Sequence, residues 1–243
     1  MARFGLIGKN IGYSFSKKYF SEKFEKENLP HTYENFDIPS IESFKNIIAE
    51  TQNLKGFNVT IPYKQEIIPL LDNLSEEAQK MGAVNTIKIS ADHKLTGYNT
   101  DHFGFYKAVE TYLPLQHKTA LILGTGGASK AIAYALNNLG FNYKFVSRKN
   151  DENSFAYSDL TQEIIEAHLL IVNCTPLGTF PNITDCPPIP YQFITENHLL
   201  FDLIYNPSET EFIKRGKLQG AKTSNGLRML ELQAEKAWEI WNS

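Results

Sequence analysis

Apolar positions fall into two alternating patterns, short uninterrupted runs and residues spaced three or four apart. Runs at 3–8, 31–38 and 56–60 predict strands, and the spaced positions between them predict helices from Lys17 to about Asn28 and over 41–50. Ser16 is placed to cap the first helix; the other reading is that Ser14, Ser16 and the helix start together hold a carboxylate. The third strand stops at Pro62. A helix is expected from Lys64, carrying that side chain over the end of the sheet, against the plain alternative of a solvated lysine. A helix over 75–81 precedes a strand over 82–90, which pairs through a polar turn with 94–98. Asn85 lies early in that strand among apolar neighbours, as a satisfied structural amide or as a ligand group. Asn99-Thr100-Asp101 then caps a helix over 102–112 with Asp101 as N-cap, and this junction is the expected domain boundary.

From Lys118 to about Asn225 the alternation repeats, with elements at 120–123, 128–139, 143–147, 163–167, 169–173, 199–203 and 211–219. This is a dinucleotide-binding pattern with little left over. At its start an apolar run enters Gly124-Thr125-Gly126-Gly127-Ala128 and passes into a helix. Gly124 permits a sharp turn, while Gly126 and Gly127 remove side chains that would keep a pyrophosphate from the helix N–H groups. Ser129 stands at the third glycine position, so the pattern alone leaves an ordinary βα turn open. The next strand ends in Ser147-Arg148-Lys149, where an NAD site places an acidic residue. Two cations there argue for NADP(H), through its 2′-phosphate, against a merely solvated basic turn. The proline-rich loop after Cys174 is irregular and of a kind that lies against a cofactor. Residues 225–241 form an amphipathic helix with Leu227, Leu230, Ala234, Ala237 and Trp241 on one face, expected to pack on the first lobe.

Bulk properties narrow the partner. With 243 residues and 42% hydrophobic residues the chain can fill two compact lobes. The net charge of −3, without a long basic run, gives no footprint for nucleic acid or an anionic membrane, which leaves a small molecule. No apolar run approaches the roughly 20 residues of a membrane span, and the first eight residues do not make a signal peptide, so a cytoplasmic protein is expected. Cys174 and Cys186 are too few for a disulfide framework or a zinc site.

Eight separated stretches then converge: Tyr-Ser-Phe-Ser (13–16), Asn-Val-Thr-Ile-Pro-Tyr-Lys (58–64), Gly-Ala-Val-Asn-Thr (82–86), Asn-Thr-Asp-His-Phe-Gly (99–104), Gly-Thr-Gly-Gly-Ala-Ser (124–129), Asn-Cys-Thr-Pro-Leu-Gly (173–178), Asp-Leu-Ile-Tyr-Asn-Pro (202–207) and Asn-Gly-Leu-Arg-Met-Leu-Glu-Leu-Gln-Ala (225–234). In this order they resemble the shikimate dehydrogenase family over nearly the whole chain. The resemblance implies a two-lobe α/β fold: a substrate-binding domain over 1–100, completed by a C-terminal helix at 226–243 that returns to it, and a Rossmann NADP-binding domain over 101–225. It implies NADP(H)-dependent reduction of 3-dehydroshikimate to shikimate, a step of aromatic amino-acid biosynthesis, in a cleft between the lobes of a monomer or homodimer. Ser14 and Ser16 would bind the substrate carboxylate with Tyr205 close by, and Thr60, Lys64, Asn85, Asp101 and Gln233 would surround the ring hydroxyls. Gly124, Thr125, Gly126, Gly127 and Ala128 would hold the pyrophosphate, Ser147, Arg148 and Lys149 the 2′-phosphate, and Leu203 and Gly226 would border the nicotinamide.

The chemistry explains these residue types. Hydride addition to a ketone builds negative charge on oxygen, which a lysine ammonium can stabilise and protonate, and Lys64 suits both tasks. Asp101 would orient Lys64 and a substrate hydroxyl. The nicotinamide carries the hydride, so no metal is required. Two positions depart from the family: Tyr13 replaces a usual His and Lys17 a usual Pro, which bears on substrate affinity and on the choice between shikimate and quinate. The competing readings are a quinate/shikimate dehydrogenase using NAD, a methylenetetrahydrofolate dehydrogenase-like enzyme, and a non-catalytic sensor of the same ligands.

Overall fold

The apolar runs become strands and the spaced positions become helices, in two separate sheets. The computed structural model describes residues 1–12, 14–149 and 154–243; Tyr13 lies outside them. The described chain divides into two units, Met1–Thr100 with Ala234–Ser243, and Asp101–Gln233.

In the first unit β1 (Arg3–Gly8), α1 (Phe15–Lys26), β2 (Thr32–Asp37), α2 (Phe44–Glu50) and β3 (Leu54–Val59) follow one another, then β4 (Asn73–Leu74), α3 (Glu76–Met81), β5 (Thr86–Ile89) and β6 (Leu95–Tyr98). The sheet order is β2-β1-β3-β5-β6-β4. β1 runs parallel to β2 and β3, whereas β5 is antiparallel to β3 and β6. Alternation along β1 sends Ile7 into a core with Phe44, Phe57, Tyr63 and Ile87, and Phe4 and Leu6 into a second with Phe20, Phe24, Ala237 and Trp241. Glycine is required at Gly56, where a Cβ would lie 2.2 Å from Trp241 Nε1. That indole nitrogen donates to the Ile87 carbonyl at 3.0 Å.

Four local expectations are corrected here. Ser14, not Ser16, caps α1: its backbone is extended and its hydroxyl accepts the Lys17 N–H, which leaves Ser16 in the first turn. No helix starts at Lys64. The Lys64 carbonyl accepts the Val84 N–H at 2.7 Å and Ile68 N–H goes to Gln65, so the segment is a series of turns ending in a 3₁₀ turn at Ile68–Leu70. The strand expected over 82–90 begins only at Thr86, because Gly82, left-handed at φ 61°, closes α3; Asn85 therefore precedes the strand. The helix expected from residue 102 is α4 (Asp101–Glu110), with Asp101 in its first turn rather than ahead of it.

The second unit continues with β7 (Thr119–Leu123), α5 (Gly127–Asn138), β8 (Asn142–Ser147), β9 (Ser154–Ala156), α6 (Gln162–Ala167), β10 (Leu170–Asn173), β11 (Leu199–Asp202), α7 (Glu211–Leu218) and β12 (Lys222–Ser224). Its sheet is parallel, ordered β12-β11-β10-β7-β8-β9. Counted from β7 as first strand, this is the order 3-2-1-4-5-6 of the doubly wound nucleotide-binding fold, with the switch point between β7 and β10. Both faces are covered, so Ala120–Leu123 and Leu170–Val172 are wholly buried. The last helix, α8 (Leu227–Asn242), is shared. Its Met229 enters the core of the second unit, while Ala234, Ala237 and Trp241 enter that of the first. Leu227, expected on the apolar face, is exposed.

Candidate active site

In the first unit the expected residues gather at the carboxyl edge of β1 and β3. Ile7 pairs with Val59 and Asn58 with Thr86, so the loop after β1, the segment after β3 and the residues ahead of β5 share that edge. The loop is fixed by Asp37, whose carboxylate accepts the N–H groups of Asn10 and Ile11 at 2.9 and 3.2 Å. Ser14 and Ser16, both half-buried, follow at the start of α1. Thr60 is anchored through its N–H to the Ile7 carbonyl, and its own carbonyl accepts the Tyr63 N–H. Lys64 is half-buried, and its carbonyl ties it beside Val84. Asn85 is buried; its Oδ1 accepts the Thr100 N–H at 2.7 Å and the Thr86 hydroxyl at 3.0 Å, and its Nδ2 donates to Thr100 Oγ1 at 3.1 Å.

A partly buried polar chain runs from β2 across β3 to β5, and sequence reasoning missed it. The Tyr33 hydroxyl, on β2, donates to Asn58 Oδ1 on β3 at 2.7 Å. Asn58 Nδ2 in turn donates to Thr86 Oγ1 at 3.3 Å. Burial pushes the Tyr33 phenol above its ordinary range, so it stays neutral. The available signal was a polar amide between Phe57 and Val59, both core residues, which needs partners of its own.

The remaining expected residues belong to the second unit. Asp101 is buried at the start of α4. One turn on, a Cβ at Gly104 would meet the Met229 carbonyl at 2.5 Å and Gln233 Cβ at 3.2 Å, so glycine brings α4 against the first half of α8 and sets Gln233 on the adjoining helix. Tyr205 is half-buried, and burial raises its phenol. Leu203 donates its N–H to the Asn173 carbonyl. Gly226 packs backbone to backbone on it: a Cβ there would fall 2.1 Å from the Leu203 carbonyl oxygen.

The glycine turn sits at the switch point. Gly124 has φ 101°, and its missing Cβ would stand 3.2 Å from Thr175 Cγ2, on the segment after β10. Gly126 is the N-cap of α5, which has no side-chain cap, and a Cβ on it would meet nothing within 4 Å. Thr125, Gly127 and Ala128 complete the turn and open the helix. Ser129, at the third glycine position, is buried and donates to the Gly126 carbonyl at 2.6 Å, so a serine tightens this turn instead of blocking it. Gly124 N–H also reaches the Val146 carbonyl, bringing the end of β8 alongside. There Ser147 Oγ accepts the Lys149 N–H, which leaves Arg148 and Lys149 exposed on a tight turn.

Two α/β units, the second doubly wound with an uncapped helix start at its switch point, define a protein of the nucleotide-dependent α/β class. Residues 6–87 match the family model of the shikimate dehydrogenase substrate binding domain. Shikimate dehydrogenase (NADP(+)) of Methanosphaera stadtmanae is 38% identical over 256 residues, spanning 98% of this chain and 90% of that one. The crystal structure of shikimate dehydrogenase from Aquifex aeolicus superposes with a TM-score of 0.88 at 34% identity, covering 100% of this chain and 92% of that one. The enzyme of Thermus thermophilus, in complex with NADP(H) and shikimate, gives 0.87 at 31% identity and covers 99% and 93%. The chain belongs to the shikimate dehydrogenase family. Among the described residues no helix is long and apolar enough to cross a membrane.

Proposed function

We propose that the protein catalyses the reversible NADP(H)-dependent reduction of 3-dehydroshikimate to shikimate. The observation that carries this reading is that Thr60, Lys64 and Asn85 come to one edge of the first sheet within residues 6–87, the stretch that matches the substrate-binding family model. In this reading Ser14 and Ser16 hold the substrate carboxylate with Tyr205, and Lys17 adds a cation at the same helix start. Thr60, Asn85, Asp101 and Gln233 bind the ring hydroxyls.

The second unit fits the nucleotide. Helices α1, α3, α6 and α7 begin on Ser14, Ser75, Thr161 and Thr210, each of which accepts a first-turn N–H. α5, like α2 on Ser43, begins with no such acceptor, but its cap is Gly126, which has no side chain at all, so its N–H groups and its dipole suit a pyrophosphate. Gly124 to Ala128 hold it, Arg148 and Lys149 pair with the 2′-phosphate, Ser147 shapes their turn, and Leu203 and Gly226 border the nicotinamide. When bound, NADPH supplies the hydride for the carbonyl carbon. Lys64 stabilises the charge that grows on the carbonyl oxygen and can deliver a proton to it. Asp101, fixed in the first turn of α4, holds a ring hydroxyl and so the orientation of the reacting carbon. The reading carries with it a cytoplasmic enzyme, monomeric or homodimeric, with these small molecules as its partners.

The test is the reduced-nicotinamide absorbance with shikimate or quinate, each with NADP⁺ or NAD⁺. Reduction with shikimate and NADP⁺ is expected. Silence in all four mixtures from a folded protein that binds NADPH would overturn the reading, and preference for quinate with NAD⁺ would replace it with the rival dehydrogenase.

A further inference from the structure

Asp202 ends β11 with its side chain wholly buried, at the same sheet edge as the glycine turn. It stands in register with Asn173 at the end of β10, the strand next to β7. Its Oδ1 accepts Asn173 Nδ2 and the Ile204 N–H, both at 3.0 Å, and its Oδ2 accepts the Thr210 hydroxyl at 2.5 Å. Asn173 passes the connection on, its Oδ1 accepting the Thr175 N–H and hydroxyl at 3.0 and 2.7 Å. One carboxylate thus joins the segment after β10, the segment after β11 and the start of α7. These segments carry Thr175, which packs at Gly124, and Leu203, which borders the nicotinamide in the reading given above.

The donors on Asp202 are all neutral, so its charge is solvated by dipoles and not cancelled by a cation. Desolvation pushes the acid up to about 6, against the Thr210, Ile204 and Asn173 hydrogen bonds that pull it down; it is ionised at neutral pH. The titratable groups around it do not follow. The Cys174 thiol is raised by burial and by Asp202 itself, the Tyr191 phenol is raised by burial, and Arg215, stacked over Tyr191, is paired with Glu211. A nicotinamide ring is positive when oxidised and neutral when reduced, and the two forms of the nucleotide share everything else. A fixed buried anion near the ring therefore interacts with the two forms unequally, and in a low-dielectric surrounding the difference is large.

We propose that Asp202 is a positioning residue that also sets the preference for oxidised over reduced nucleotide, its carboxylate holding the loops after β10 and β11 while its charge favours the cationic nicotinamide. The proposal rests on the NADP(H) reading, and it assigns Asp202 no contact with substrate.

The experiment measures dissociation constants of NADPH, by fluorescence, and of NADP⁺, by competition, on the full chain from about pH 5.5 to 8. Asp202→Asn should weaken NADP⁺ about tenfold more than NADPH, the equivalent of one pKa unit of lost charge interaction. In the wild type the preference for NADP⁺ should fall as pH drops through the carboxylate's range, while in Asp202→Asn the ratio should be flat. The nucleotide's 2′-phosphate titrates nearby but is common to both forms and cancels in the ratio. Thr210→Val removes a hydrogen bond that favours the charged form, so it should move the wild-type midpoint upward. It keeps the test open should Asp202→Asn fail to fold. Equal weakening of both forms, or a wild-type ratio independent of pH, would overturn the inference and leave Asp202 a purely structural tie. Binding of neither form by the wild type would overturn the nucleotide reading itself, a distinct result.

Discussion

Replacing Gly126 with alanine separates what the glycine turn does for the fold from what it does for the nucleotide. The built Cβ meets no atom within 4 Å, and the backbone, at φ −77° and ψ −174°, is one that alanine adopts freely. The only cost to the free protein is a poorer N-cap, about 0.5–1 kcal/mol. The methyl group nonetheless stands in front of the first N–H groups of α5, where a pyrophosphate must approach to hydrogen-bond distance. A loss of at least about tenfold in NADPH affinity is expected, or about 1.4 kcal/mol. Ligand stabilisation falls by the same amount, and for a chain of this size that removes about 3–6 °C of the melting shift given by saturating NADPH. Thermal melts of both proteins across an NADPH titration make the measurement. Equal NADPH-induced shifts in wild type and Gly126→Ala would refute the reasoning, because the nucleotide would then not lie on this turn.

Other outcomes follow from residues already placed. Lys64→Ala should lower turnover by about a hundredfold or more with NADPH affinity nearly unchanged, and unaltered turnover would remove Lys64 from the reaction. Arg148→Ala should raise the KM for NADP⁺ far more than that for shikimate; an equal rise in both would place Arg148 away from the 2′-phosphate. Trp241→Ala leaves a cavity among Phe4, Phe20 and Tyr33 and removes the indole's bond to the Ile87 carbonyl, so it should destabilise the first unit by about 3–5 kcal/mol in urea unfolding. A change below about 1 kcal/mol would show that the C-terminal residues contribute little. Asp202 gives a stability term opposite in sign to that of a paired surface carboxylate. Its acid rises from 3.8 to about 6, so between these values the folded chain keeps a proton that the unfolded chain has released. Stability of the second unit should therefore fall by about 3 kcal/mol as pH rises through that window, relative to Asp202→Asn. Urea midpoints of the two proteins that stay parallel from about pH 4 to 6 would contradict this.

How far the sequence could be read depended on how local each determinant is. The apolar run and glycine cluster at 120–128 specify strand, turn and helix from neighbouring residues alone, and the structure repeats them closely. The cap of α1 was ambiguous because Ser14 and Ser16 are equally good residues two positions apart, and only the backbone angles choose between them. The turns at Lys64 depend on a carbonyl captured by Val84, twenty residues away, which no local pattern announces. The three-residue strands β9 and β12 are too short to show a period. The apolar spacing along α8 reads as one stripe serving one lobe, whereas Met229 and Trp241 serve different cores and Leu227 faces solvent. The chain through Tyr33 and Asn58 joins distant strands and becomes visible only once they are paired.

The division of α8 also sets an order of events during synthesis. The second unit is one continuous stretch, complete once Gln233 has been added, but the first needs Ala234–Ser243 to close its aromatic core. After Thr100 has been added to the chain a further 133 residues, 101 to 233, must be made before those ten, which at about 5–20 residues per second is roughly 7–27 s. For that interval Phe4, Phe20, Phe24 and Tyr33 lack the wall that Ala237 and Trp241 provide. The first unit is therefore closed only after the whole of the second has been made, although most of its residues precede it.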